Sequence, residues 1–492
     1  MSENIFLKHK RYGLRSRLLF SFFSSMVYLT LAFIMEGSLI LRLLFLIATI
    51  YLSLPVLWSK HGLFDDPFHP YLAYRLLLLV TMVMQIPILI MQGVGFSEET
   101  YITILFTTIS FTATMDILTY LAPHLMRIPT FNFIRGYHPK FCDFFLFMYV
   151  MGWFWRVFAL SKDLLYGTYL AAQYEVVAIG NLVGILNSLN LTSLFGFVIF
   201  NKSRKQSFLV YLMILLELIW GIISGSKAAI IYVFLPLIFI YFHKSRISLR
   251  WIVVVLLCLS LVFLFPLISN YRLLVQMQVA KGENLSFRTI VKSIGAIFNY
   301  KNSKILLGNS ITIANSSEII ERLSWAKFYG ALLERPDLIQ NKWYGKSYLP
   351  IFVWWIPRAL WSDKPLVSVG AWYGWKVLGW SYNSRSEGAI TIWGDAVMNF
   401  GFFGLIFVQF VWILLAFFLY RLGLSLGGWG LLFLASVYMR LLGGLEQNVA
   451  VPLVAFQQTA LIVLTLRILA RIFVSFIHIL PKSIVKEVDR NI

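Results

Sequence analysis

Residues 389–420 read AITIWGDAVMNFGFFGLIFVQFVWILLAFFLY, an apolar stretch whose one charged side chain, Asp395, stands near its start. At the helical rise per residue, about 20 apolar residues cross the roughly 30 Å of hydrocarbon in a bilayer. The stretch exceeds that length and reads as a transmembrane helix. Comparable runs begin near Leu18, Gly37, Tyr71, Thr100, Phe141, Val176, Phe208, Lys227, Trp251, Trp429 and Val451, and with the run from Ala389 they make about twelve. Composition agrees: 59% of the 492 residues are hydrophobic and 13% are charged, with a mean hydropathy of +0.77. A soluble globule of this length needs more polar surface than that. The expected fold class is an all-α integral membrane protein.

The net charge of +20 would suggest nucleic acid as the partner of a soluble protein, but on a membrane-spanning chain it is first a matter of topology. Short connections carrying Lys60, then Arg127, Arg135 and Lys140, then Lys202, Arg204 and Lys205, then Lys244, Arg246 and Arg250 fall on one side with both termini. The positive-inside rule makes that side the cytoplasm. The opposite connections hold Glu36, Glu98, Glu99, Asp163 and Glu175 but only Lys162. No nucleic-acid partner is implied. The apolar run after the basic N-terminus lacks a small-residue cleavage site and reads as a retained first helix. Cys142 and Cys258 lie in apolar runs without metal-ligand spacing and read as packing residues.

The chain thus divides into a basic cytoplasmic N-terminus (1–17), helices one to nine (18–268), a large outer loop (269–388), helices ten to twelve (389–479) and a cytoplasmic tail (480–492). A connection as long as 269–388 is more often functional than a mere linker. It holds half of the 16 tryptophans, and its apolar patch Leu349 to Trp361 suits a helix lying in the membrane interface. No internal repeat or pair of similar halves is evident.

The loop contains fifteen Lys and Arg against seven Asp and Glu. Either this is a solvated surface, or the cations take an anionic ligand such as a lipid-linked pyrophosphate. Its aromatic residues fit sugar recognition, and equally a belt at headgroup level. All seven histidines fall on or near the cytoplasmic side, and the outer carboxylates are scattered. A divalent-metal site and any other cofactor are therefore not expected, and a general base in the loop would be a carboxylate. Glu387 and Asp395, where the loop re-enters the membrane, are the best placed. Within the membrane, Glu217 and Arg440 require partners, and a structural ion pair is the expectation. Lys227, after Ser224-Gly225-Ser226, stands at an outer helix start suited to an anion.

Three segments resemble a known family. Tyr344-Gly345-Lys346-Ser347-Tyr348, the run Ile356-Pro357-Arg358-Ala359-Leu360-Trp361-Ser362-Asp363-Lys364-Pro365, and Gly394-Asp395-Ala396-Val397-Met398-Asn399-Phe400-Gly401 resemble the Wzy-type oligosaccharide repeat-unit polymerases of O-antigen and capsule assembly. Ser224 to Lys227 resembles their Gly-Ser-Arg element, and Glu321-Arg322-Leu323-Ser324 the arginine segment before the Pro-Arg motif. The resemblance covers roughly Trp220 to Gly404. Lys227 stands where arginine is commoner in the family, and Asp395 where glutamate is usual.

The resemblance implies a GT-C-like glycosyltransferase in the bacterial inner membrane, with both termini cytoplasmic and undecaprenyl-pyrophosphate-linked oligosaccharide as its partner. The growing glycan on one lipid would pass to the non-reducing end of a repeat unit on another. It also leaves room for a chain-length-regulating protein partner. Charge builds on the departing pyrophosphate, so fixed cations would lower the barrier without a metal. Arg272, Arg322, Arg358 and Arg385 are the expected cations, helped by Lys227 and Lys364, with Trp361 beside the glycan and Asp395 or Glu387 as the proton acceptor. Three rival functions stand beside this one. A ligase-like transferase resembles a pattern with an outer histidine, which this chain lacks, a flippase is expected to have two related halves, and a non-enzymatic membrane assembly factor would use the loop as a docking surface.

Overall fold

The computed structural model describes residues 26–58, 68–121, 138, 140–161, 177–201, 207–223, 228–243, 268, 271, 324–356, 360–380 and 388–479. All regular structure among them is helical: α1 (26–34), α2 (Leu39–Trp58), α3 (Pro70–Met91), α4 (Glu98–Leu121), α5 (Phe141–Ser161), α6 (Val177–Phe200), α7 (Ser207–Ile223) and α8 (Ala228–His243) precede α9 (Trp325–Leu333), α10 (Pro336–Gln340), α11 (Pro350–Val353) and α12 (Gly370–Lys376). The chain then forms α13 (Thr391–Ser425), α14 (Gly428–Gly443) and α15 (Ala450–Ile479). Six of the described helices, α3, α4, α5, α13, α14 and α15, are long and apolar enough to cross a membrane, and shorter apolar stretches lie in α2, α6, α7 and α8. The run from Trp251 lies outside the described residues apart from Ile268.

Local chemistry explains the irregular helices. In α3, Pro87 has no N–H to offer and its ring crowds the carbonyl four residues back. The helix widens into a π-turn over Leu79–Val83, with Met84 N donating to Leu79 O at 2.8 Å and the Gln85 side-chain Nε2 to Val80 O at 3.2 Å. In the threonine-rich α4, hydroxyls of Thr103, Thr108, Thr112, Thr114 and Thr119 each return to a carbonyl four residues earlier. That satisfies them inside an apolar surrounding.

Two apolar clusters fill the bundle. One joins α1 to α4 with α9, α13 as far as Phe417 and Phe456 of α15, and the other joins α5 to α8 with α15 and the end of α13. Helix α14 contributes to both. Its turn onto α13 depends on glycine, because a Cβ on Gly430 would sit 1.9 Å from the carbonyl oxygen of Gly423. Gly430→Ala should therefore cost at least the ~1–3 kcal/mol of ordinary overpacking. Gly443→Ala, where a Cβ meets nothing within 4 Å, is the control. Thermal unfolding in detergent compares them, and equal midpoints would refute the close approach.

The two ends of the bundle are distinct. At one, Glu334 after α9 accepts from Ser97 N at 2.8 Å and Thr100 Oγ1 at 2.6 Å, and Ser38 donates to Glu98. At the other, the rings of Phe141, Phe200 and Trp429 meet at centroid distances of 5.3 to 5.4 Å. Reporter fusions at Lys327 and at Arg204, just past Phe200, should consequently mark opposite compartments. The same compartment for both would overturn the expected topology.

One expectation is met and one needs correction. Glu217 is held in a structural ion pair, with Arg156 of α5 as its partner: Nη1 to Oε1 is 2.8 Å and Nη2 to Oε2 is 3.0 Å. The forked guanidinium matches a carboxylate in a way that fixes both side chains. The patch Leu349 to Trp361, however, is not one helix. Among the described residues the helix covers only Pro350–Val353, followed by a turn, and Trp361 is non-helical. Lys364 explains the early stop, since its ammonium draws in two carbonyls from the turn.

Candidate functional site

Gly401 interrupts α13 with φ 69° and ψ −163°. Every residue from Thr391 to Asn399 is buried, whereas the part beyond Gly401 exposes Phe402, Phe403, Ile406 and Phe407. The first piece therefore lies within protein on all sides, and the second has one apolar outer face. A break leaves helical carbonyls without partners. Here they are met by an incoming segment, with Trp343 N donating to Met398 O at 2.9 Å and Tyr344 N to Asn399 O at 3.2 Å.

The side chains repeat the connection. Asp395 is 0% exposed, and its Oδ1 accepts from Ser347 Oγ at 2.7 Å and from Asn399 Nδ2 at 3.1 Å. Its Oδ2 accepts from Val449 N at 3.0 Å. Asn399 Oδ1 accepts from Gly345 N at 2.9 Å while its amide nitrogen donates to Ser347 Oγ at 2.7 Å. An unpaired carboxylate here would be costly, and hydrogen bonds on both oxygens offset that cost. One carboxylate thus joins the 343–347 segment, α13 and the turn before α15. Asn448 extends the turn by donating to Val367 O at 2.9 Å.

Of the other expected site residues, Lys364 is only 5% exposed. Its Nζ donates to Trp354 O at 2.6 Å and Ile356 O at 2.8 Å, which closes the loop whose sequence includes Arg358. Trp361, 36% exposed, stands on the same loop. Lys227, Arg272, Arg322, Arg358, Arg385 and Glu387 lie outside the described residues. Flanks of two of them are adjacent: Tyr271, next to Arg272, donates to Ile223 O at 3.1 Å, four residues before Lys227. Gly388, next to Glu387, donates its N–H to Gly370 O at 2.9 Å.

The neighbouring aromatic groups are packed. Trp343 meets Trp372 edge-on with centroids 4.6 Å apart, and Tyr348 lies 5.8 Å from Phe400. Burial pushes the Tyr348 hydroxyl above the usual phenol range, with the Asp395 charge adding to the effect. It remains a neutral phenol. Sequence reasoning overlooked Asn399 and Ser347 as functional groups. Their signal was present, for Asp395 and Asn399 are four residues apart and share a helix face.

Glu334 docks the α9–α10 turn onto the start of α4. The hydrogen bond from Thr100, with others from Ser97, holds its carboxyl below the usual range although burial opposes this. A depressed folded-state value means that docking is favoured above the ordinary glutamate value and lost as pH falls through the lowered one. Hydrogen-exchange protection over residues 94–100, taken relative to the intrinsic rate at each pH, should accordingly fall in acid, and Glu334→Gln should lower it already at neutral pH. Protection unaffected by either change would dismiss the carboxylate as the dock.

No protein-family model, curated protein or solved structure matches the chain.

Proposed function

We propose that the chain polymerises lipid-linked oligosaccharide repeat units at the outer face of a bacterial inner membrane, as a metal-independent glycosyltransferase with about twelve spans and a GT-C-like arrangement. The supporting observation is the meeting of two segments on which the family resemblance rests. Ser347 of the first donates to Asp395 of the second, and Asn399 accepts from Gly345, across about fifty residues of sequence. The third segment ends two residues before Val367, whose carbonyl accepts from Asn448, the neighbour of the Val449 that donates to Asp395.

In the reaction, a hydroxyl at the non-reducing end of one lipid-linked repeat attacks the anomeric carbon of the glycan on another lipid. The bond to the pyrophosphate oxygen breaks, and undecaprenyl pyrophosphate leaves with the electron pair. Arg272, Arg322, Arg358 and Arg385, with Lys227, stabilise that developing charge. Trp361 offers a partly exposed ring to the glycan, and Lys364 holds the carbonyls of Trp354 and Ile356, just before Arg358 in the sequence. Asp395 has both oxygens engaged and no exposure. The hydroxyl's proton therefore goes to Glu387, the other carboxylate at the junction.

Purified protein in vesicles, supplied with undecaprenyl-pyrophosphate-linked repeat units, tests this. The expected product is a ladder of lengthened glycans, formed also with excess chelator. Transfer only to a different lipid acceptor would favour a ligase, and movement across the bilayer without a new bond would favour a flippase. Either result replaces the polymerase reading.

A further inference from the structure

The hydrogen bonds around Asp395 fix more than a helix. They set the posture of a short exposed tip, residues 342–346, whose side chains alternate. Trp343 turns inward onto Trp372, while Lys342, Tyr344 and Lys346 are exposed. Tyr344 has φ 50° and is 78% exposed, and Gly345 follows with φ 82°. A left-handed backbone is unfavourable for a bulky aromatic residue and persists where surrounding bonds over-determine it. Those bonds are visible here. Tyr344 N and Gly345 N both donate to Asn399, to its main-chain and side-chain oxygens respectively. Asp395 and Ser347 in turn fix the Asn399 amide.

The result is an outward tyrosine ring at the loop end, with an exposed lysine two residues before it and another two residues after it. Lys342 reaches over the break in α13, where its Nζ is 3.6 Å from the place a Cβ on Gly401 would occupy. A ring face suits the C–H-rich face of a sugar and flanking ammonium groups suit phosphate, so the combination fits a saccharide carrying phosphate.

We propose that Lys342, Tyr344 and Lys346 form a binding element for the phosphate-bearing head of a glycolipid, and that Asp395, Asn399 and Ser347 are positioning residues that latch it in place. This deepens the polymerase reading and rests on it. The latch acts on binding, whereas a proton acceptor would act on the chemical step. Asp395 therefore influences affinity even where no reaction takes place.

Undecaprenyl pyrophosphate itself is the probe, with its dissociation constant measured on the full chain in nanodiscs. The paired change Tyr344→Ala with Lys346→Ala should weaken binding by about tenfold or more, as expected for losing a charged contact. Asp395→Asn and Ser347→Ala should each weaken it measurably, because Asn cannot accept from both Ser347 and Val449. Their combination should weaken it less than the product of the two, as expected within one network. Ser347→Thr, which keeps the hydroxyl, should restore it, and unchanged thermal unfolding guards against a general loss of fold.

Failure of the unaltered protein to bind would overturn the polymerase reading together with this element. Binding by the unaltered protein that the Tyr344 and Lys346 changes do not affect would overturn the element alone. Weakened binding in those variants with none in Asp395→Asn would overturn the latch.

Discussion

Glu217→Ala is expected to give a protein that reaches the membrane in low amount and unfolds early in detergent. Glu217 and Arg156 are each 2% exposed, and the guanidinium lies 4.8 Å from the Trp220 ring centroid and 5.2 Å from that of Trp153. Removing the carboxylate takes the forked acceptor from a buried cation packed against two indoles. Breaking such a buried pair typically costs about 3–5 kcal/mol, a large part of the stability of most domains. Arg156→Ala should be comparably damaging. The double replacement, Arg156→Met with Glu217→Leu, should recover most of the loss because neither charge remains and volume is roughly kept. Size-exclusion profiles after graded heating provide the measurement. If Glu217→Ala survives heating as well as the parent, the pair contributes little and the reading of α5 against α7 must change.

Arg358→Lys is expected to leave an inserted, stable protein whose polymerisation falls by roughly 10² or more, the usual scale for removing one transition-state donor. A headgroup anchor would tolerate lysine, since it needs only charge. A clamp on pyrophosphate uses the guanidinium's paired donors and would not. Lys364 sharpens the comparison, because its ammonium is committed to the carbonyls of Trp354 and Ile356 and cannot move over to help without opening the loop. Polymer of parental length from the lysine variant at matched expression would assign Arg358 to the interface.

The helical character and the positions of the long apolar elements were legible in the sequence because charge is so costly in hydrocarbon that its absence over twenty residues is a strong signal. The polar interior was legible only in part. Glu217 announced itself as a charge within an apolar run, but its partner Arg156 did not, since pairing depends on which helices pack together. Arg75 was passed over entirely. It donates to Tyr51 O at 2.7 Å and to Asp116 at 2.5 Å, and its guanidinium lies 4.7 Å from the Tyr71 ring centroid. Three helices supply that site, and no spacing in one of them reveals it. At the candidate site the segments were recognisable, but Asp395 read as a base because its position at a helix entry was visible and its hydrogen bonds were not. Lys364 read as a ligand cation for the same reason.

The interruption at Gly401 also separates two design problems that a continuous helix would couple. In an unbroken rod, lengthening the apolar part by one residue rotates everything above it by about 100° and lifts it about 1.5 Å, which would swing Asp395 away from Ser347. With the angular phase reset at Gly401, the lower piece can adapt its length and lipid-facing stripe to bilayers of different thickness. The upper piece keeps its orientation against α9 and the turn before α15. Membrane fit and the geometry around Asp395 can then drift independently in evolution.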